Sequence, residues 1–341
     1  MTPPATRRDA RADHLLTTAS SPVRHARARR AARIRFAFAG IAAVALGVGG
    51  AAAITAAVLG PGVSASAGMI ADAAPRTTPV PLPQAVTALP VPTLAAVAAI
   101  VDVCADAAFV AALAAGDDAA TIAAAGGAES FRAAVASGQA ACVSLGDPAR
   151  VWAVVNKTRP FEPADYRPAQ LGDPSGMRDI SGGALRTDAA AALAEMAEAA
   201  ASAGAGQIAL ESGFRSYGTQ RSTYQRQVSA RGRAEADLVS ARPGYSEHQT
   251  GLAADVTACS PGCIDMGGFG GTPQQEWVAA HSWEHGWIVR YVEGRTDVTG
   301  YSPEPWHLRY IGRELAAAYH EGGWESLEEF FGLPAAPAYV G

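Results

Sequence analysis

Four side chains in two short stretches could do chemistry together. In Ser246-Glu247-His248-Gln249-Thr250-Gly251-Leu252-Ala253-Ala254-Asp255 an imidazole and a carboxylate lie seven residues apart. In Glu304-Pro305-Trp306-His307 a carboxylate and an imidazole lie three apart. Two imidazoles and one carboxylate fill three positions of a tetrahedral zinc and leave the fourth open, the arrangement of a catalytic rather than a structural site. His248, Asp255 and His307 are therefore the expected ligands of one Zn2+. Glu304, close to that metal and not needed as a ligand, is placed to take a proton from water activated there. The chemistry implied is hydrolysis.

The elements around these residues must bring them to one point. The His248–Asp255 separation exceeds one helical turn, so a turn followed by a strand has to converge the two side chains, with Gly251 free to supply unusual backbone angles. Asp255 sits among Leu252, Ala253, Ala254 and Val256, where an unpaired carboxylate is costly. Pro305 excludes a regular helix at Glu304–His307, and the pair is not the HExxH helix of other metalloproteases. In a regular strand positions three apart face opposite sides, so a kink is required, and Pro305 is its expected cause. The competing reading of Glu304 is a partner that orients His307.

These stretches resemble the VanY-type D-alanyl-D-alanine carboxypeptidase family, with S-E-H-Q-T-G-L-A-A-D followed by E-P-W-H-L-R-Y. Further blocks resemble it in the same order: Val155-Asn156-Lys157 with Asp165-Tyr166, Ser212-Gly213-Phe214-Arg215-Ser216-Tyr217 with Gln220, and Gly286-Trp287-Ile288-Val289-Arg290-Tyr291. The likeness spans roughly residues 150–333. It implies an α+β fold with a small, mostly antiparallel sheet and flanking helices around the zinc site, shared with hedgehog signalling domains. It also implies the ligand set already named, with Glu304 as general base and acid.

Arg215 lies in a block that resembles one facing the metal in this family. It could stabilise the developing oxyanion or clasp the free carboxylate of a substrate; the plain alternative is a structural ion pair. Gln220 and Ser246 resemble substrate-contacting positions, with turn or cap hydrogen bonding as their alternative. Trp306 flanks His307 and could wall the pocket. His281 and His285, four apart, have no third ligand and read as helix surface or packed core.

The substrate implied by the resemblance is the peptidoglycan stem peptide ending in D-Ala-D-Ala, losing its terminal D-alanine. L,D-carboxypeptidase action on tetrapeptides, endopeptidase cleavage of crosslinks, and a catalytically silent wall-binding protein are the alternatives.

The formal net charge of −5 averages opposed segments: residues 1–35 hold nine arginines against Asp9 and Asp13, and the remainder is acidic. Because that basic head directly precedes the uncharged stretch Phe36–Leu59, topology explains it better than nucleic-acid binding does. A membrane span needs about 20 apolar residues, so 36–59 is expected to be an uncleaved anchor with its N-terminal side cytoplasmic and the rest of the chain outside. A cleaved signal ending near Val63–Ala67, releasing a secreted enzyme, is the alternative.

The expected organisation is a cytoplasmic head (1–35), the anchor (36–59), a proline-rich spacer (60–93), an alanine-rich helical segment (94–147), the zinc domain (148–333) and a tail (334–341). The four cysteines favour disulfides Cys104–Cys142 and Cys259–Cys263, consistent with export, over a thiolate metal site. A monomer is expected. Predicted elements in the zinc domain are strands at 151–156, 207–211, 252–257 and 287–292, with helices at 187–202, 217–231 and 309–319.

Overall fold

The computed structural model describes residues 102–340. The expected head, anchor and spacer lie outside the described residues. Among the described residues no helix is long and apolar enough to cross a membrane.

Three short helices come first: α1 (Ala107–Ala115), α2 (Asp118–Ala124) and α3 (Ala128–Ala136). Asp106 and Asp117 cap the first two by accepting the amides of Phe109 and Ala120. A Cys104–Cys142 disulfide joins the two ends of this segment, and Cys259–Cys263 closes a short loop further on. Phe109, Ile122 and Phe131 are buried in one cluster with Trp152, Ile311, Leu315, Phe330 and Phe331. The alanine-rich helices thus share a core with the C-terminal part of the chain.

Short strands β1 (Leu171–Gly172), β2 (Arg178–Asp179) and β3 (Leu185–Arg186) lead into α4 (Thr187–Ser202). Alanine and leucine favour the helix, and Ala189, Leu193, Met196, Ala197 and Ala200 form its buried face. Then follow β4 (Gln207–Ser212), α5 (Tyr217–Arg231), α6 (Arg233–Val239), β5 (Ala253–Cys259), α7 (Pro273–His281), β6 (Trp287–Tyr291), α8 (Thr296–Thr299), β7 (Glu304–Tyr310), α9 (Arg313–Glu321) and α10 (Leu327–Phe330). The main sheet has the order β2-β4-β5-β7-β6, antiparallel except for β2–β4, while β1 and β3 pair separately. This is an α+β fold. β5 is central and buried along its whole length, which is why its sequence is almost entirely apolar apart from Asp255 and Thr257.

Two predicted elements differ. Val151–Asn156 is buried but forms no strand, because its carbonyls are taken by side chains: Arg309 donates to Val151 and Ala153, and Arg159 to Val154. Arg309 and Tyr310 end β7 instead of opening a helix. The closing helix starts at Arg313, after Gly312, and runs to Glu321.

Candidate metal centre

The sheet register assembles the centre. Asp255 on β5 lies directly opposite His307 on β7. His248 reaches them from a 3-10 turn, Glu247–Thr250, that ends at Gly251 in the left-handed conformation, φ 70°. A Cβ on Gly251 would stand 3.0 Å from the Arg186 amide nitrogen, so both its φ and its close packing require glycine.

The kink expected at Glu304–His307 is a bulge. Tyr291 pairs with Glu304 and Val289 with Leu308, so two residues of β6 span four of β7. The surplus residues, including Pro305, let Glu304 and His307 face the same side. Glu304 Oε2 lies 3.6 Å from His307 Nδ1.

Ligand atoms of His248, Asp255 and His307 all lie within 4.8 Å of one another, and all three residues are buried. His248 Nδ1 donates to the Gly213 carbonyl at 2.7 Å, leaving Nε2 a bare lone pair. That nitrogen is buried with no hydrogen-bond partner, yet it faces Asp255 Oδ2 at 3.2 Å. With the ring neutral, two acceptors face each other at that distance, and a cation between them would satisfy both. Gly213 itself packs against the Gly183 and Ala184 carbonyls, where a Cβ would collide. Neutral nitrogen and carboxylate donors with one side open suit a zinc-type ion.

The electrostatics separate the two histidines. Burial, with Arg215 nearby, lowers His248 to about 4, so its ring is neutral. Burial alone would lower His307 too, but Asp255 and Glu247 outweigh it and raise that imidazole to about 9. Burial raises Glu304 to about 7, an effect the His307 charge only partly offsets. A carboxyl poised near neutrality suits proton transfer in both directions.

Arg215 donates to Asp255 Oδ2 at 3.1 Å and to Gln220 Oε1 at 3.0 Å, and its Nε is buried without a partner. Gln220 is fully buried and contacts Arg215 and the Ala241 carbonyl. A small cavity of about 40 Å³ is lined by Arg215, Ser246, His248, Tyr291, Glu304 and His307, among others. Ser246 therefore faces the centre, and Gln220 stands behind Arg215. Trp306 packs against the core around Trp287 and Leu308 and does not line the cavity. His281 stacks on Trp277 and pairs with Glu284, while His285 lies 3.4 Å from Glu195. Two larger clefts, of about 880 and 600 Å³, are lined by none of the three ligand residues.

Glu247 was not singled out by sequence. It is buried between two strand arginines, Arg290 and Arg309, which donate to its Oε1 at 2.9 and 3.0 Å. Burial would raise this carboxyl, but the two guanidinium charges hold it well below the usual range. The available signal was the pair of lone arginines in the otherwise apolar or aromatic stretches Trp287-Ile288-Val289-Arg290-Tyr291 and Trp306-His307-Leu308-Arg309-Tyr310.

A buried His/Asp/His centre with an adjacent, near-neutral carboxyl is the arrangement of a metal-dependent hydrolase. A family model described as VanY, D-alanyl-D-alanine carboxypeptidase, matches residues 182–313. The chain is 37% identical over 192 residues to a Bacillus subtilis (strain 168) protein, YodJ, a carboxypeptidase by name, covering 55% of this chain and 69% of that one. A D-alanyl-D-alanine carboxypeptidase of Enterococcus faecalis (strain ATCC 700802 / V583) is 43% identical over 96 residues, 28% of this chain and 34% of its own. Among solved structures, the LdcB LD-carboxypeptidase is similar with a TM-score of 0.50 and 37% identity, over 54% of this chain and 87% of that one. The chain belongs to the VanY-type D-alanyl-D-alanine carboxypeptidase family.

Proposed function

We propose that this protein is a zinc-dependent D,D-carboxypeptidase that removes the terminal D-alanine from peptidoglycan stem peptides. The observation that carries the reading is the Glu304 carboxyl, 3.6 Å from His307 Nδ1 and lining one cavity with His248 and His307. One zinc held by His248, Asp255 and His307 supplies Lewis acidity and a nucleophilic water at neutral pH. Glu304 takes the proton released as the penultimate carbonyl is attacked, and returns it to the departing amine. Arg215, fixed by Gln220, stabilises the negative charge that develops on the carbonyl oxygen. The small size of the cavity beside Ser246 favours a small terminal residue.

The catalytic part works outside the cytoplasm, held by the apolar stretch 36–59 and acting as a monomer. The two disulfides support an oxidising compartment. L,D-carboxypeptidase action on tetrapeptides is the second reading, favoured by the similarity to LdcB. Mass spectrometry of pentapeptide and tetrapeptide stems incubated with the zinc-loaded protein tests both. Loss of one alanine from the pentapeptide alone supports D,D action, and loss from the tetrapeptide alone replaces it with L,D action.

A further inference from the structure

We propose that Glu247 is a positioning residue for His307: its carboxylate binds the imidazole Nε2–H and so presents Nδ1 to the metal. The geometry leaves this carboxylate little choice. Its Oε1 is occupied by Arg290 Nε at 2.9 Å and by an Arg309 guanidinium nitrogen at 3.0 Å. Its Oε2 faces His307 Nε2 at 3.2 Å. An ionised carboxylate only accepts hydrogen bonds, so the proton on this edge of His307 must sit on Nε2. The other nitrogen, Nδ1, then faces Asp255 Oδ1 at 3.1 Å and Glu304 Oε2 at 3.6 Å. Nothing on the other side competes, because the Glu247 side chain is sealed from solvent.

The arginines that hold Glu247 are themselves anchored. Arg290 makes a two-pronged contact with Glu328, at 2.8 and 3.0 Å, and Asn156 donates to the same carboxylate at 3.0 Å. Arg309 is tied to the Ala153 carbonyl at 2.7 Å. Outer carboxylates of this kind fix the tautomer and ring orientation of a metal-binding histidine. His248 is fixed the opposite way, through Nδ1–H and a backbone carbonyl. The inference rests on the metal-centre reading above, and its test does not depend on the reaction catalysed.

The test is zinc affinity of the full chain, measured against a competing chelator, for wild type, Glu247→Gln and Glu328→Gln. With the glutamine oxygen held by the two arginines, its NH2 group faces His307 Nε2 and drives the proton to Nδ1. Zinc affinity should fall by about 10–100-fold in that variant. Glu328→Gln reaches His307 only at one remove, through Arg290 and Glu247, and should lower affinity by clearly less. Cobalt(II) loaded into Glu247→Gln should show altered visible bands, which a loss of general stability would not produce. Wild-type affinity in Glu247→Gln, or an equal loss in Glu328→Gln, overturns the proposal. If Glu247→Gln does not fold, 15N NMR of the zinc-loaded wild type decides. Protonated Nε2 and metal-bound Nδ1 on His307 support it, and metal on Nε2 overturns it. A wild-type chain that binds no zinc would instead sink the metal-centre reading itself.

Discussion

The imidazoles of His248 and His307 stand edge to face, 5.0 Å and 86° apart, and turn different ring nitrogens toward Asp255. His248 presents Nε2 because its one proton, on Nδ1, is donated to the Gly213 carbonyl. His307 presents Nδ1 because its Nε2 faces Glu247. One ring is set by backbone and the other by a buried carboxylate.

The difference in charge between the two rings makes metal uptake pH-dependent. At pH 7–8 His248 is already neutral, whereas His307, raised to about 9, carries a proton on the nitrogen the metal needs. Zinc binding should release about one proton from His307 in this range, and apparent affinity should rise about tenfold per pH unit up to about 9. Calorimetry in buffers of different ionisation enthalpy measures the count. No proton release at pH 7.5 would contradict the charge assigned to His307.

Activity should follow the ionisation of Glu304. The base must be a carboxylate, and burial places its pKa at about 7. A bound cation lowers that value, so kcat/KM should climb with pH and level off at or below about 7. An ascending limb centred above pH 8 would assign the base to another group.

Glu304→Gln should reduce kcat by about 10²–10⁴-fold, the usual worth of a positioned general acid–base. Zinc stoichiometry should stay at wild type, since the proposed ligands are His248, Asp255 and His307. Loss of zinc in this variant, measured by elemental analysis, would make Glu304 a ligand.

Arg215 divides its donors between Gln220 and Asp255, which a single ammonium cannot imitate. Arg215→Ala should lower kcat/KM by about 10²–10³-fold at saturating zinc, with Arg215→Lys failing to restore it. A lysine variant at wild-type rates would reduce the arginine to a simple positive charge.

The N-terminal helices should unfold with the catalytic sheet. Phe131 is fully buried and its ring lies 4.9 Å from that of Trp152. Phe131→Ala should cost about 3–5 kcal/mol and lower the temperature of one shared transition. Two separate transitions in calorimetry would show that the helices fold on their own.

Much of this could be read from sequence because local rules applied. α5 matches its predicted span, 217–231, since Ser216 caps one end and Gly232 follows the other. Gly251 was readable because only a turn could join His248 to Asp255. What escaped depended on distant side chains. Val151–Asn156 reads as a strand until Arg309, far along the chain, claims its carbonyls. Glu247 looks like an ordinary surface charge beside a histidine, and nothing local announces that Arg290 and Arg309 bury it. The bulge at Pro305 could be required but not described, because its register is set by the partner strand β6.

The span matched by the family model and the unit that must fold are different intervals. The family match runs from 182 to 313, yet Asn156 and Glu328, which secure the arginines around Glu247, fall on either side of it. Trimming the chain to 182–313 would strip the braces from His307 while leaving His248, Asp255 and His307 in place. The shortest faithful fragment is therefore longer than the family-model match, and the core that Phe109, Ile122 and Phe131 share with Trp152 and Phe330 extends it to the N-terminal helices.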